Sequence, residues 1–561
     1  MTTPSSEHTD LPAAWPHGVP RDVEVPDEPL TALLDRAVRD HADRVAVDFL
    51  GRATTYRQLA DLVDRGARVL HDLGVGAGDR VALVMPNCTA HVVAFWATLR
   101  LGAVVVEHNP TYTADELAHQ LADSGATVAL VWEQAVPRVL EAKDRTDLRH
   151  VVAVDLSADL PRTSRWALKL PVAKARATRA AMRGPVPADV PHWDSLVRAA
   201  VPYLVPTRPS SGDVALLQYT GGTTGTPKAA VLSHRNLVAN SLQGTTWTQA
   251  VPGTEVVYAV LPFFHAFGLT LCLVYSVRIA ATIVVLPSFD PERVLAAQRR
   301  RPGTFLPAVP PMLERLAVAA EKAGADLTSF RYSISGAMAL PRATAERWER
   351  VTGGIVAEGY GMTETSPVAL GNPLSKDRRP GSLGLPFPST RVRIVDQDDP
   401  TRDVAPGEQG ELLISGPQVF QGYWKRPDET AHQLLEGGWL RTGDVVRMED
   451  DGMIVLLDRM KEMIVTGGFK VYPSQVEDHL RGMPGVRDVA VVGEPAGDMG
   501  EHVVAAVVLE DDARGVDLAS VREWCETRLA RYALPRRLVV LKDLPRSQVG
   551  KVLRRVVRDE L

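Results

Sequence analysis

The stretch Gln218 to Asn236, QYTGGTTGTPKAAVLSHRN, carries the densest set of groups able to handle phosphate. Thr220, Gly221, Gly222, Thr223, Thr224 and Gly225 place three hydroxyls and three glycines ahead of Pro227 and Lys228. Glycine adopts positive φ at little cost and brings no Cβ, so such a loop can turn its backbone N–H groups around an anion. The hydroxyls add donors, and Lys228 adds charge. The stretch is not a Walker A loop, because that pattern ends in Gly-Lys-Ser/Thr and here Pro227 stands before the lysine. The alternative is a solvated surface turn, which rarely pairs so many threonines with glycines.

YTGGTTGTPK closely resembles the phosphate-binding signature of the adenylate-forming superfamily, which includes acyl- and aryl-CoA ligases, luciferases and the adenylation domains of peptide synthetases. Five further stretches resemble that family's motifs and occur in its order. They are LPFFHAFG (Leu261 to Gly268), EGYGMTE (Glu358 to Glu364), RTGD (Arg441 to Asp444), LDRMKEMIVTGGFKVYP (Leu457 to Pro473) and PRSQVGK (Pro545 to Lys551). The likeness runs from about residue 30 to the C-terminus. Ala229 departs from it, since the family usually has glycine after the lysine.

The resemblance implies a role for each of these side chains. Thr220 and Lys228 would act on the phosphates together with Thr223, and Glu364, with Thr220, would hold Mg²⁺. His265 and Phe267 would meet the acyl substrate near its carboxylate, along with Gly336 and Gly361. A neutral imidazole can orient a carboxylate through one N–H without titrating. Backbone at Gly336, Ala337 and Met338 would pass against the purine. In Glu358, Gly359, Tyr360, Gly361, Met362 and Thr363, the ring of Tyr360 would stack on adenine and Thr363 would donate to the α-phosphate. Asp444 would accept the ribose hydroxyls, Arg459 would sit near ribose and phosphate, and Lys461 would be the hinge. Gly467 and Gly468 would approach a pantetheine tunnel, and Lys551 would be catalytic.

Those roles imply ATP, Mg²⁺ and CoA. The reaction is activation of a carboxylic acid through an acyl adenylate and transfer to CoA, with release of AMP and pyrophosphate. GSLGLPFPST (Gly381 to Thr390), GPQVFQGYWKRP (Gly416 to Pro427) and YTGG in place of YTSG resemble bacterial ligases of medium- and long-chain fatty acids. Aryl-acid CoA ligation and a standalone adenylating enzyme that loads a carrier-protein thiol are the alternatives. A nucleotide-binding regulator without turnover is opposed by Glu364, Asp444, Arg459 and Lys551 occurring together.

Composition limits the remaining classes. A chain of 561 residues exceeds what one hydrophobic core usually serves. A net charge of -5 opposes a general nucleic-acid binder, and no apolar run is long enough to span a bilayer. Cys88, Cys272 and Cys525 are the three cysteines, too widely separated for a metal or disulfide framework, and fit a reducing, cytoplasmic setting. The N-terminus lacks the basic start and apolar core of a signal peptide.

The elements that must position these groups follow a helix-then-strand rhythm. Thr55 and Gln58 form a capping box before a stripe of Leu59, Leu62, Val63, Leu70 and Leu73, and Gly74 sits where a C′ glycine belongs. A strand at Arg80 to Met85, a helix around His91 to Leu101 and a strand at Ala103 to Val106 follow. Thr113 and Glu116 then start a second capped helix, ahead of a strand at Thr127 to Val131. Helices alternating with short apolar strands predict an α/β fold on largely parallel sheets. The expected division is a mobile lead-in (1–29), a large N-terminal AMP-binding domain of several subdomains (30–458) and a small, mobile α+β lid (459–561).

Between about 160 and 184, Arg162, Arg165, Lys169, Lys174, Arg176, Arg179 and Arg183 interleave with Trp166, Leu168, Leu170 and Met182. No acidic residue lies among those basic positions. Two readings stand: a segment lying peripherally on an anionic membrane surface, or a solvated, partly helical insertion.

Overall fold

The computed structural model describes residues 12–203, 208–220, 227–466, 469–497, 500–526, 528–547 and 550–561. Its contacts divide the chain into two units, 1–391 with 415–438, and 392–414 with 439–561. The boundary expected near Asp458 therefore lies inside the second unit, because the strands Gln409–Ser415, Trp439–Met448 and Ile454–Arg459 pair with one another.

The first unit holds two sheets. One has six strands in the order His150–Val154, Val128–Trp132, Arg80–Val84, Val104–His108, Val214–Thr220 and Lys228–Ser233. All neighbours are parallel except the last pair, which is antiparallel. The other has nine strands. Its central six, Ile355–Gly361, Tyr332–Ser335, Phe305–Ala308, Val256–Ala259, Thr282–Val285 and Val45–Phe49, are parallel, and antiparallel strands finish both edges. Strands buried on both faces read as continuous apolar runs, which is why VALV and VVVEH carry no alternation.

Both expected capping boxes form. Thr55 starts the helix Tyr56–Asp72 and Thr113 starts Ala114–Ser124, each with reciprocal side-chain and backbone bonds to the third residue. Such a cap is worth about 1 kcal/mol. Gly74 takes φ +86°, a left-handed conformation that ends the first of these helices without steric penalty.

The lead-in departs from expectation over its described part. Trp15 packs edge-on against Trp247 at 5.5 Å, and Val19 is buried. Ser389 N–H donates to Arg21 O at 2.8 Å, and Val23 N–H donates to Ser389 Oγ at 2.9 Å. An indole buries too much apolar area to stay in water when a second indole offers its face.

The second unit contains the antiparallel strands noted above and a smaller α+β part. There Val486–Pro495 and Glu501–Leu509 pair antiparallel, and Arg537–Leu541 adds in parallel. The helices Pro473–Arg481 and Leu518–Glu526 cover one face through Val476, Leu480, Val521 and Cys525.

Candidate active site

The phosphate loop hangs from a hairpin. Thr220 lies opposite Lys228 at its open end, and the Thr220 hydroxyl donates to Lys228 O at 3.3 Å. Gly221, Gly222, Thr223, Thr224 and Gly225 lie outside the described residues. One turn into the hairpin, Gln218 Nε2 donates to Phe264 O at 2.7 Å. This bond ties the loop's strand to the segment carrying His265.

His265 ends an irregular run and caps the short helix Ala266–Gly268, its Nδ1 accepting from Phe267 N–H at 3.3 Å. Burial lowers its pKa, so the ring is neutral at pH 7. With Nδ1 as acceptor, Nε2 carries the proton and can donate to a carboxylate. Asn87 holds the preceding loop by donating to Ala259 O (3.2 Å) and Leu261 O (2.7 Å) and accepting from Phe263 N–H (2.7 Å).

Phe267 connects that segment to the nucleotide motifs. A Cβ on Gly336 would lie 3.1 Å from Phe267 Cζ and 3.3 Å from Gly359 O, so the three approach closely. Gly336 follows the strand Tyr332–Ser335, whose Ser335 is in register with Glu358 on the neighbouring strand. The turn continues through exposed Ala337 at φ +68° and half-buried Met338. Glu358 braces it: its carboxylate accepts from Gly381 N–H (2.8 Å) and Leu340 N–H (3.5 Å), and burial raises its pKa. Tyr360 is half-buried and pairs with Leu370 across the strand edge. Gly361 is dictated by its own chain, since a Cβ there would strike Pro367 O. Met362 N–H donates to that same carbonyl at 2.9 Å, and Thr363 opens the one-turn helix Thr363–Thr365.

Glu364 sits in that turn, 6% exposed, and accepts from Tyr423 Oη at 2.5 Å. A carboxylate held by a hydrogen-bond donor is a hard oxygen ligand of the kind Mg²⁺ takes in ones and twos, with substrate phosphates and water supplying the rest. Among the described residues no group of three or more His, Cys, Asp or Glu is disposed to cage a metal.

In the second unit the TGD turn is built on Glu411. Its carboxylate takes Arg441 Nη2 at 2.7 Å and Gly443 N–H at 3.2 Å, with Gly443 at φ +69°. Asp444, 4% exposed, is in register with Arg459 and meets its Nε at 3.1 Å. Lys551 belongs to the same cluster. Its pKa is pushed down to about 8, first by burial and then by the Arg459 charge, with Asp444 opposing. The loop bearing it is closed by Ser547 N–H to Lys551 O (2.8 Å) and Leu553 N–H to Pro545 O (2.9 Å). Exposed Lys461 lies on the turn Met460–Glu462. Gly467 and Gly468 fall outside the described residues, between the paired Thr466 and Phe469.

The candidate residues thus fall into two groups, each coherent within its own unit. Sequence reasoning missed several supports. Tyr423 and Glu429, which pairs with Lys228, carry no local spacing signal. Arg554, three residues after Lys551, forks onto Glu477 at 2.8 and 2.7 Å and onto Ser474 Oγ at 3.0 Å, and also pairs with Glu462.

The basic stretch forms the helices Arg162–Ala167 and Ala173–Met182. Trp166 is 67% exposed, and Leu170 and Val172 are also exposed. Two residues depart from expectation. Met182 is buried, its carbonyl accepting from Trp132 Nε1 at 2.9 Å, and Arg183 is paired with Glu133 (3.0 Å) and Asp155 (3.3 Å) from outside the stretch. Acids distant in sequence thus oppose one of the seven basic residues, Arg183. No helix among the described residues is long and apolar enough to cross a membrane.

Residues 34–424 match the family described as AMP-binding enzyme, and residues 475–551 match the AMP-binding enzyme C-terminal domain. The chain is 36% identical over 552 residues to a long-chain-fatty-acid–CoA ligase of Salmonella typhimurium, covering 97% of each chain. It is 34% identical over 525 residues to a feruloyl-CoA synthase of Amycolatopsis, covering 93% of this chain and 97% of the other. Among solved structures, ATP-bound MatB from Rhodopseudomonas palustris aligns with a TM-score of 0.82 at 29% identity, over 95% of this chain and 99% of that one. The chain belongs to the AMP-binding enzyme family. Within it, the protein is an ATP-dependent acyl-CoA ligase, an acid–thiol ligase with ATP and CoA as substrates.

Proposed function

We propose that the acid activated is a medium- or long-chain fatty acid. The supporting observation is the 36% identity, over nearly the whole chain, to long-chain ligases. The buried apolar run Leu269 to Val274 directly after Phe267 suits an alkyl substrate beside His265.

In this reading the carboxylate oxygen attacks the α-phosphorus of ATP, the bond to the β-phosphate oxygen breaks, and pyrophosphate leaves with the electron pair. The nucleophile is already anionic, so no general base is required. What opposes reaction is repulsion between two anions and charge building on the leaving group. His265 Nε2–H orients the carboxylate. Thr220, Lys228 and the loop between them receive the phosphates, with Thr223 among its donors. Thr363 donates to the α-phosphate and Tyr360 stacks on the base. Asp444 accepts the ribose hydroxyls, and Arg459 and Lys551 place positive charge beside the reacting anions. Glu364, aided by Thr220, would hold Mg²⁺, which would supply neutralisation of phosphate charge.

In the second step the thiol of CoA attacks the acyl carbonyl, its proton passes to solvent, and AMP departs. A free thiol with pKa near ~8.5 supplies little thiolate at neutral pH, yet is strongly nucleophilic toward a mixed anhydride. Rotation about Lys461 exchanges Lys551 for the segment carrying Gly467 and Gly468 between the two steps.

The basic helices at 162–182 serve as a peripheral contact with anionic lipid. Exposed Trp166, Leu170 and Val172 among arginines and lysines support this role, which suits a substrate that partitions into membranes.

A panel of fatty and aryl acids in a CoA-dependent, AMP-releasing assay tests the substrate assignment. The highest kcat/KM should fall on saturated acids of medium or long chain. A preference for feruloyl- or benzoyl-type acids would overturn it.

A further inference from the structure

We infer that Tyr423 is a positioning residue that orients the Glu364 carboxylate for the divalent ion and ties it to the lysine of the phosphate loop. The inference rests on the reading of Glu364 as the metal carboxylate.

The segment around Tyr423 is held like an added strand on the outer edge of the phosphate-loop hairpin. Val231 N–H donates to Gly422 O (2.9 Å), Gln421 N–H to Val231 O (3.0 Å) and Trp424 N–H to Ala229 O (2.9 Å). Gly422, at φ +129°, has no room for a Cβ, which would lie 2.5 Å from Thr430 Cγ2. Tyr423 N–H is taken by Thr430 Oγ1 at 2.9 Å. Beyond it, Trp424 Nε1 (3.0 Å) and Lys425 Nζ (2.7 Å) both donate to Asp123 O. The tyrosine backbone is therefore fixed to the strand that begins with Lys228.

The side chain then meets both kinds of charge. Its hydroxyl donates to Glu364 Oε1 at 2.5 Å, while Lys228 Nζ lies 5.4 Å from the ring centroid. The Phe420 ring packs edge-on against Tyr423 at 5.0 Å, and Phe420 N–H donates to Glu364 O at 2.9 Å. A carboxylate so bonded cannot rotate freely about its last torsion. A phosphate-binding lysine and a metal carboxylate, 136 positions apart in sequence by subtraction of their numbers, thereby share one rigid support.

The test is Mn²⁺ binding followed by electron paramagnetic resonance in the presence of a non-hydrolysable ATP analogue. Wild type, Tyr423→Phe and Glu364→Gln are compared, with analogue affinity in excess chelator measured alongside. Losing a partner of a metal ligand weakens metal affinity by about 10- to 100-fold. Tyr423→Phe should fall in that range while its metal-free analogue affinity stays at the wild-type value, because the ring beneath Lys228 remains. Unchanged Mn²⁺ affinity in Tyr423→Phe, with Glu364→Gln impaired, would overturn the positioning role alone. Unchanged affinity in both variants would overturn the assignment of Glu364 as well.

Discussion

Asp444 and Arg459 face each other across paired antiparallel strands, Oδ1 to Nε at 3.1 Å, although they stand fifteen positions apart in sequence. On the proposed reading, the pairing sets an acceptor for ribose hydroxyls beside a cation for phosphate at one fixed spacing. The Glu411 carboxylate, which grips both Arg441 and Gly443, keeps the turn that presents Asp444 from opening.

Asp444→Ala should therefore raise KM for ATP. Losing hydrogen bonds to a charged acceptor costs about 1.5–3 kcal/mol, which corresponds to about 10- to 100-fold in KM. Asp444→Asn, which keeps one acceptor oxygen, should fall between Ala and wild type. Initial rates against ATP concentration at saturating acid check this. An unchanged KM in Asp444→Ala would remove the ribose from this carboxylate.

Lys551 sets a pH dependence of definite sign. With its pKa pushed down to about 8, the ammonium form prevails at pH 7 and is lost as pH rises through that value. Because kcat/KM reports the free enzyme, acid-dependent pyrophosphate exchange should show a falling limb near pH 8. Lys551→Arg holds its charge across this range and should lose that limb, at a lower absolute rate. The same limb in both proteins would assign it to another group.

Much of this arrangement was legible in the sequence because it is local. The capping boxes at Thr55 and Thr113, the glycine at Gly74 and the apolar strands each depend on residues within a few positions, and all formed. What escaped depends on pairing between distant segments. Tyr423 stands in GYWKRP with no spacing that points to Glu364, and only strand addition beside Lys228–Ser233 brings them together. Gly336 was expected as backbone against the purine, and the tight approach of the Phe267 ring, 3.1 Å from where a Cβ would stand, carries no sequence signal. Arg183 counted as unopposed until Glu133 and Asp155 arrived from other elements. The strand pairing that joins 392–414 to 439–459 likewise cannot be read from a linear motif.

The basic helices give a prediction that depends on salt. Sedimentation with vesicles of anionic phospholipid should retain the wild-type protein at low ionic strength and release it at high salt. Trp166→Ser combined with Arg165→Glu should weaken retention several-fold while leaving acyl-CoA formation from a soluble short-chain acid unchanged. Equal retention of variant and wild type would assign this segment to solvent.

The measurement closest to the central claim separates the two half-reactions in Lys551→Ala. The first is acid-dependent exchange of pyrophosphate into ATP, and the second is thioester formation from supplied acyl adenylate and CoA. If Lys551 serves adenylation and then gives way to the segment carrying Gly467 and Gly468, exchange should vanish while thioester formation stays near the wild-type rate. Equal loss of both half-reactions would contradict the account.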